Sequence, residues 1–342
     1  MPPRSKRVWQ VKVSTLCNLR CRYCYEWDRL ADTARMGLPV WREVFEAIRD
    51  LRVDANPDEF DRIIWHGGEP TLLPPDYVLN VLALQRDVLG EAIGAGGARN
   101  AVQTNLFAWN ETLDIFVSSG FEFSVSMDVV PGTRPTAGGK ATEAATVQNL
   151  AQLVARGAKV GVILVLTREN RDHLAAAHDL VAGIGVDWLR IIPVFASESA
   201  APVGNLILSP EETVEALLLL DGHRATTGQN IPVIPLDRAR AAAERFRNGE
   251  TATHTVPTRI IVQPDGRIGF EFGERLRLSD WPGENSLASA ISQPRTNKRD
   301  DRTCRPCGFQ ATCNRRALED WPDTKDEGPC PVEARLLAEM VS

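Results

Sequence analysis

Cysteine is the residue type whose spacing in this sequence most clearly points to chemistry. The 342-residue chain contains seven cysteines, and all of them fall in two groups. The N-terminal group has the spacing C-x3-C-x2-C and consists of Cys17, Cys21 and Cys24. The C-terminal group consists of Cys304, Cys307, Cys313 and Cys330. Free cysteines that only fill a core seldom group this closely, so the spacing predicts ligands of a metal or metal cluster.

The two groups differ in how many ligands they offer. The C-terminal four thiols can close a tetrahedral zinc site, or hold a four-iron cluster. The N-terminal group offers three thiols with no histidine nearby to complete a closed site. Three ligands leave one position open, which a reactive centre needs and a structural site lacks.

Composition limits the possible partners and the compartment. The net charge is −6, and no long basic run is present, so neither nucleic acid nor an anionic membrane surface is expected as a partner. We find no apolar run of about 18 residues for a membrane span and no signal peptide. The sequence therefore predicts a cytoplasmic protein, where thiols stay reduced and grouped cysteines bind metals more often than they form disulfides.

Strand-like and helix-like segments alternate along the first 200 residues. The predicted strands are 7–15, 62–68, 99–105, 121–130, 159–170 and 186–197, and the predicted helices are 39–53, 75–90, 110–120, 142–158, 171–185 and 209–228. This alternation predicts an α/β fold with a parallel sheet, either doubly wound or curled into a barrel. In both arrangements ligands bind at the carboxyl ends of the strands.

The pattern changes after about residue 250. Residues 258–272 read as a hairpin whose turn is Pro264, Asp265 and Gly266. An irregular, charged stretch follows and carries the four C-terminal cysteines. We therefore predict two domains, a core of residues 1–250 and a small metal-centred module of residues 251–342.

Two motifs at the ends of the first two strands resemble a known family. C-x3-C-x2-C follows the first strand with Tyr23 before its last cysteine, and Gly67, Gly68, Glu69 and Pro70 end the second strand. Together they are similar to the signature of radical S-adenosylmethionine (SAM) enzymes. The resemblance implies a partial (β/α)6 barrel in which the three cysteines hold a [4Fe–4S] cluster. SAM would chelate the open iron, and an external one-electron reductant would drive its cleavage to a 5′-deoxyadenosyl radical.

The resemblance also suggests residues that contact SAM. Glycines allow close backbone approach to a ligand, and a carboxylate such as that of Glu69 can accept from an ammonium group. Ser126 and Asp128 resemble a family S-x-D-G motif in which Val129 here replaces the glycine. The polar end of the third strand, Gln103 to Asn105, is placed in the same way, and Arg134 is a candidate for the SAM carboxylate. Strand-end turns would also explain these polar residues.

The C-terminal cysteines resemble the SPASM domain of peptide- and protein-modifying radical SAM enzymes, including anaerobic sulfatase-maturating enzymes. The likeness implies one auxiliary [4Fe–4S] cluster, the outer one, with zinc as the alternative. The inner cluster's cysteines are missing, since Ala317 and Glu271 stand where two of them are expected. Glu271 is a candidate proton acceptor during oxidation of a substrate radical, although an exposed strand-end glutamate fits as well. His66, beside the glycines, is assigned to packing and not to acid or base work.

Two functions suit these motifs. The first is oxidative crosslinking of a ribosomally made precursor peptide through a C–C, C–O or C–N bond, and the second is dehydrogenation of a small molecule such as an aminocyclitol or sugar. A radical epimerase is disfavoured because all seven cysteines are assigned to clusters and none is left to return a hydrogen atom. A non-enzymatic metal-binding protein would require the Gly67–Pro70 match to be accidental.

Overall fold

The computed structural model confirms an α/β chain built on a parallel sheet. It describes residues 4–52, 59–90, 96–194, 203–228, 231–251, 258–270, 275–277, 307–309, 312 and 332–341. The strands are β1 (Arg4–Ser14), β2 (Glu59–Gly67), β3 (Ala98–Thr104), β4 (Glu122–Ser126), β5 (Val160–Leu166), β6 (Trp188–Pro193), β7 (Val233–Ile234), β8 (Thr258–Val262), β9 (Arg267–Phe270) and β10 (Arg275–Arg277). The helices are α1 (Leu38–Asp50), α2 (Pro75–Leu89), α3 (Glu111–Ser118), α4 (Glu143–Ala155), α5 (Leu174–Ile184), α6 (Pro210–Thr227), α7 (Leu236–Arg247) and α8 (Glu333–Val341).

The chain divides into two compact units. Unit 1 comprises Met1–Asn18, Arg29–Ser124 and Pro257–Arg295, and unit 2 comprises Leu19–Asp28, Val125–Val256 and Thr296–Ser342. In unit 1, neighbouring strands follow the order β10-β9-β8-β1-β2-β3, and in unit 2 the order is β5-β6-β7. Pairing is parallel except in β8-β9-β10, where the predicted hairpin is confirmed. The domain boundary at residue 250 stays a prediction.

Helix α1 shows how unit 1 covers one side of its strands. Pro39 stands in its first turn, where a missing N–H costs nothing. Trp41, Phe45 and Ile48 recur at helical spacing and are fully buried. The Trp41 ring lies 4.7 Å from the ring of Trp65 in β2, centroid to centroid. This aromatic contact packs the first helix onto the second strand.

The other side of the strands of unit 1 carries several polar side chains. Along β1, Trp9 and Val11 are fully buried, whereas Gln10 and Lys12 between and beyond them are partly exposed. Side chains alternate between the two faces of a strand, so Gln10 and Lys12 share the face opposite the helices. The polar residues on this side of the strands are Gln10, Lys12, His66, Gln103 and Arg259, and the apolar residues Val8, Ile64 and Ile261 lie on the same side.

Helix α7 and the short strand β7 are absent from the sequence prediction. The buried positions of α7 are Leu236, Ala239, Ala242 and Ala243. Three of these four are alanines, so the apolar stripe carries a weak hydrophobic signal. Helix α6 was predicted, and its capping box between Ser209 and Glu212 fixes its start. Among the helices that the structure describes, none is long and apolar enough to cross a membrane.

A buried ion pair fastens β1 to β2. The Asp61 carboxylate accepts from Arg7 Nε at 2.5 Å and Nη2 at 2.7 Å, and from Trp9 Nε1 at 3.0 Å. Asp61 is fully buried and Arg7 is 3% exposed. Arg52 adds a further contact at 3.3 Å.

Replacing Asp61 with asparagine should destabilise the protein by about 3–5 kcal/mol, because Arg7 would remain buried without a countercharge. The expected readout is a clearly lower thermal unfolding midpoint by circular dichroism. Asp87→Asn is the matched control: Asp87 is 71% exposed and lies 3.8 Å from Arg42, so its loss should change stability by less than about 1 kcal/mol. Equal midpoints for the two variants would contradict the assignment.

Candidate functional site

In unit 1, the loop that carries Cys17 is joined to the glycine loop through the backbone. The N–H of Gly68 donates to the carbonyl of Ser14 at 2.8 Å, and the N–H of Glu69 donates to the carbonyl of Leu16 at 2.8 Å. Since the two strands are parallel neighbours, these bonds extend their pairing past the strand ends. These hydrogen bonds fix the distance between the two loops. Both loops lie at the carboxyl ends of β1 and β2, where ligands bind in α/β folds.

This approach leaves no room for side chains at the two glycines. A Cβ on Gly67 would lie 1.9 Å from the carbonyl oxygen of Ser14, and a Cβ on Gly68 would lie 2.1 Å from that of Leu16. Gly67 also has φ +129°, a conformation that favours glycine. The sequence interpretation assigned the glycines to close approach of a ligand. The structure shows a different close contact, with the backbone of the cysteine loop.

The Glu69 carboxylate fixes both loops to the end of β3. Glu69 is 2% exposed. Its Oε1 accepts from Thr71 N at 3.0 Å, Thr71 Oγ1 at 2.8 Å and Thr104 Oγ1 at 2.7 Å, and its Oε2 accepts from Asn105 N at 2.6 Å. Burial raises the pKa of Glu69, and these donors act in the opposite direction. Pro70 begins the short turn, Pro70–Leu72, that Glu69 caps.

Asn105 connects this arrangement to the first cysteine. Its Nδ2 donates to Asn18 Oδ1 at 2.9 Å and lies 3.8 Å from Cys17 Sγ. Its Oδ1 accepts from the N–H of Phe107 at 2.9 Å, which orients the amide. The strand-end position of Gln103 to Asn105 was the only sequence signal for this contact.

In unit 2, a short turn carries Cys21 and Cys24. The N–H of Cys24 donates to the carbonyl of Cys21 at 3.0 Å. The N–H of Arg22 donates to the carbonyl of Thr133 at 3.0 Å, which attaches this turn to the segment after β4. Burial raises the pKa of the Cys24 thiol to about 11. A thiol of this pKa is protonated at neutral pH, and a metal ion that binds it displaces the proton to solvent and stabilises the thiolate.

Tyr23 and Arg134 form a buried pair in unit 2. Arg134 Nη1 donates to the Tyr23 hydroxyl at 3.0 Å, and the two residues are 6% and 8% exposed. Burial raises the pKa of Tyr23 well above its usual range. The Tyr23 ring packs with Val194 and Leu206, and Cys21 lies against the same apolar group. Arg134 thus fixes the side chain of Tyr23, which lies between Cys21 and Cys24 in the sequence.

Asp128 organises the turn after β4. Its Oδ1 accepts from the N–H groups of Val129 at 2.8 Å and Val130 at 3.0 Å, and its Oδ2 accepts from Asn170 Nδ2 at 2.9 Å. Among the described residues other than glycine, only Leu106 has a positive φ. The turn therefore needs no glycine at position 129. Ser126 ends β4, two residues before Asp128.

Four residues of the predicted site lie outside the part of the chain that the structure describes, namely Glu271, Cys304, Cys313 and Cys330. Cys307 is described and is partly exposed. The auxiliary metal centre and the candidate proton acceptor therefore stay predictions.

A family model described as the Radical SAM superfamily matches residues 11–181, half of the chain. The protein therefore belongs to the Radical SAM superfamily, and the predicted family resemblance is confirmed. Its cofactors are SAM and a SAM-binding [4Fe–4S] cluster, and the residues present fit them. Three thiols stand on one eight-residue stretch, and the loop carrying the first is held at the carboxyl end of β1 by the two glycines.

Similar proteins include sulfatase maturases. The chain is 26% identical to the serine-type anaerobic sulfatase-maturating enzyme of Klebsiella aerogenes over 328 residues, covering 88% of this chain and 76% of that protein. Native anSMEcpe with bound AdoMet has a similar fold, with TM-score 0.72, 18% identity and coverage of 99% and 97% of the two chains. Streptococcus suis SuiB bound to S-adenosylmethionine matches with TM-score 0.59, 14% identity and coverage of 92% and 72%.

Gly68→Ala should disrupt the cysteine loop, because its Cβ would overlap the carbonyl of Leu16. We expect a loss of stability of more than about 2 kcal/mol together with lower iron content per chain. Gly183→Ala is the control: Gly183 lies inside α5 with no atom within 4 Å of its Cβ position, so alanine should keep or slightly raise stability. Normal iron content in Gly68→Ala would refute the close-packing argument.

Glu69→Gln should also be costly although it preserves size. Whichever way the amide is turned, its NH2 faces a backbone N–H, that of Thr71 or that of Asn105, and a backbone N–H cannot reverse its role. We expect destabilisation of about 1–3 kcal/mol, measured as a fall in the thermal midpoint. Glu215→Gln, at an exposed helix position, should have little effect. Similar midpoints for the two variants would argue against a fully bonded carboxylate.

Proposed function

We propose that this protein is a radical SAM maturase that oxidatively crosslinks a ribosomally made peptide by forming a C–C, C–O or C–N bond. The observation that carries the proposal is near full-length similarity to relatives that act on peptides or proteins. The relative from Klebsiella aerogenes, named as a sulfatase-maturating enzyme, covers 88% of this chain. Structures of similar fold include anSMEcpe with the Cp18Cys peptide and SuiB with the precursor peptide SuiA.

In this proposal the three N-terminal cysteines ligate the cluster, and the residues around them bind SAM. Cys17, Cys21 and Cys24 would each give a thiolate. Gly67, Gly68 and Pro70 would shape the backbone toward SAM, and Glu69 would act mainly by fixing that backbone, because the protein already supplies donors to both of its carboxylate oxygens. Unit 2 would supply four further residues that contact SAM, namely Tyr23, Ser126, Asp128 and Arg134.

The auxiliary centre and the base complete the proposal. Cys304, Cys307, Cys313 and Cys330 would hold one auxiliary [4Fe–4S] cluster, and Glu271 would accept the proton that the substrate radical releases. When bound, SAM and its cluster would supply the radical that abstracts a hydrogen atom. The auxiliary cluster would take up the electron that the oxidation releases. A crosslink removes two hydrogen atoms from the peptide, one as a hydrogen atom and one as this proton and electron.

Iron counting after anaerobic reconstitution tests the cofactor assignment. The wild-type chain should hold about eight irons, and Cys304→Ala/Cys307→Ala should hold about four. With SAM and dithionite, wild-type enzyme should release 5′-deoxyadenosine, and Cys17→Ala should release none. About four irons with one zinc in the wild-type chain would overturn the auxiliary cluster, and absence of 5′-deoxyadenosine would overturn the function.

The substrate class needs a separate measurement. Short peptides encoded beside the gene should lose the mass of two hydrogen atoms when incubated with enzyme, SAM and reductant, and fragmentation should place the new bond. Oxidation of an aminocyclitol or sugar, with no change in any peptide, would instead support a small-molecule dehydrogenase.

A further inference from the structure

Two helices of unit 2 bring two histidines and one aspartate together. His178 and Asp179 are adjacent in α5, and His223 stands in α6, which packs against α5. Asp179 Oδ1 lies 3.2 Å from His178 Nδ1 and 2.8 Å from His223 Nε2. Two imidazole nitrogens thus converge on one carboxylate oxygen where the helices meet. We call these three residues the histidine–aspartate cluster.

The separations within the cluster are close to those between the ligands of a metal ion. With bonds of about 2.0–2.1 Å to a tetrahedral zinc ion, neighbouring ligand atoms lie roughly 3.3 Å apart. One possible ligand atom from each of the three residues lies within 4.8 Å of those of the other two. The two imidazole rings are nearly perpendicular, with centroids 6.2 Å apart, so they do not stack. Small side-chain movements would therefore let all three residues bind one ion.

The Asp179 carboxylate has no lysine or arginine partner among the described residues. Its ion-pair partners are the two histidines of the cluster. Arg224, which follows His223 in the sequence, pairs instead with Asp237 at 2.9 Å and with Asp221 at 3.7 Å. A metal ion would supply the positive charge that the carboxylate lacks. Imidazole and carboxylate groups are common ligands of divalent transition-metal ions.

The burial of His178 is a second, independent indication of a ligand. Its side chain is fully buried, on the face of α5 that also buries Leu174, Ala177 and Val181. Within the described residues, its Nε2 has no hydrogen-bond partner. Burying a ring nitrogen without a partner is less favourable than burying an apolar side chain at the same position. Metal binding through Nδ1 accounts for a histidine where packing alone favours an apolar residue.

The other two members of the cluster are accessible to solvent. The side chain of Asp179 is 41% exposed and that of His223 is 28% exposed. An ion can therefore enter from solvent, and water can fill the coordination position that three protein ligands leave open. Ligating histidines usually donate their second ring N–H to an outer partner, which the described residues do not provide for His178. We therefore expect micromolar affinity, weaker than that of a site with complete outer partners.

We propose that the histidine–aspartate cluster binds one divalent transition-metal ion through His178 Nδ1, His223 Nε2 and the Asp179 carboxylate. The ion joins α5 to α6 and stabilises the folded state, because the unfolded chain does not hold the three ligands together. None of the seven cysteines takes part, so the inference goes beyond the proposed function and does not depend on it. Mg²⁺ prefers oxygen ligands and does not compete for this site.

The test counts zinc and iron together in the cluster-loaded enzyme. Anaerobically reconstituted enzyme is dialysed against micromolar Zn²⁺, and both metals are measured by mass spectrometry. Wild-type enzyme should gain one zinc per chain without losing iron, and millimolar Mg²⁺ should not displace this zinc. Asp179→Asn and His223→Gln should each weaken zinc binding by about 100-fold or more, because each removes a direct ligand.

His173→Gln is the matched control, because His173 is an exposed histidine that lies just before α5. It should bind zinc as the wild-type enzyme does. Zinc should raise the thermal midpoint of the wild-type enzyme and of His173→Gln by a few degrees, and should leave the midpoints of Asp179→Asn and His223→Gln unchanged. The midpoints without zinc show whether each variant is folded.

Two results would overturn the inference. If the wild-type enzyme binds no zinc, the cluster is a hydrogen-bonded trio without a metal. If both folded ligand variants keep the zinc of the wild-type enzyme, the zinc binds elsewhere. Zinc at the C-terminal cysteines would lower the iron count and would not respond to His223→Gln, so this outcome is distinguishable from zinc bound by the histidine–aspartate cluster.

Discussion

The site depends on the close approach of two loop backbones at the ends of β1 and β2. Hydrogen bonds from Gly68 and Glu69 to the carbonyls of Ser14 and Leu16 set this distance, and only glycine fits at positions 67 and 68. The buried Glu69 carboxylate then adds the end of β3 to the same arrangement. The loop that carries Cys17 is thereby positioned by hydrogen bonds that join three strand ends.

Buried carboxylates in this protein mainly organise the backbone. Asp61 binds Arg7 between β1 and β2, and Asp128 holds the turn after β4. Glu69 does the same at the glycine loop, where donors supply both of its oxygens. Each costs free energy to bury and recovers it through hydrogen bonds or a partner charge. Glu69 and Asp128, the acids of the two sequence motifs, thus both receive hydrogen bonds from backbone N–H groups of the protein itself.

The sequence alone determined the alternation of strands and helices, the superfamily and the three thiols, because hydrophobic period and motif spacing are local properties of the chain. It missed helix α7, whose buried stripe is mostly alanine. Only the tertiary structure decided what the motif residues touch. The glycines meet backbone, Glu69 binds Thr104 and Asn105, and Lys12 lies beside His66. These contacts join residues distant in sequence, and their partners are set by strand order and register, which no local pattern encodes.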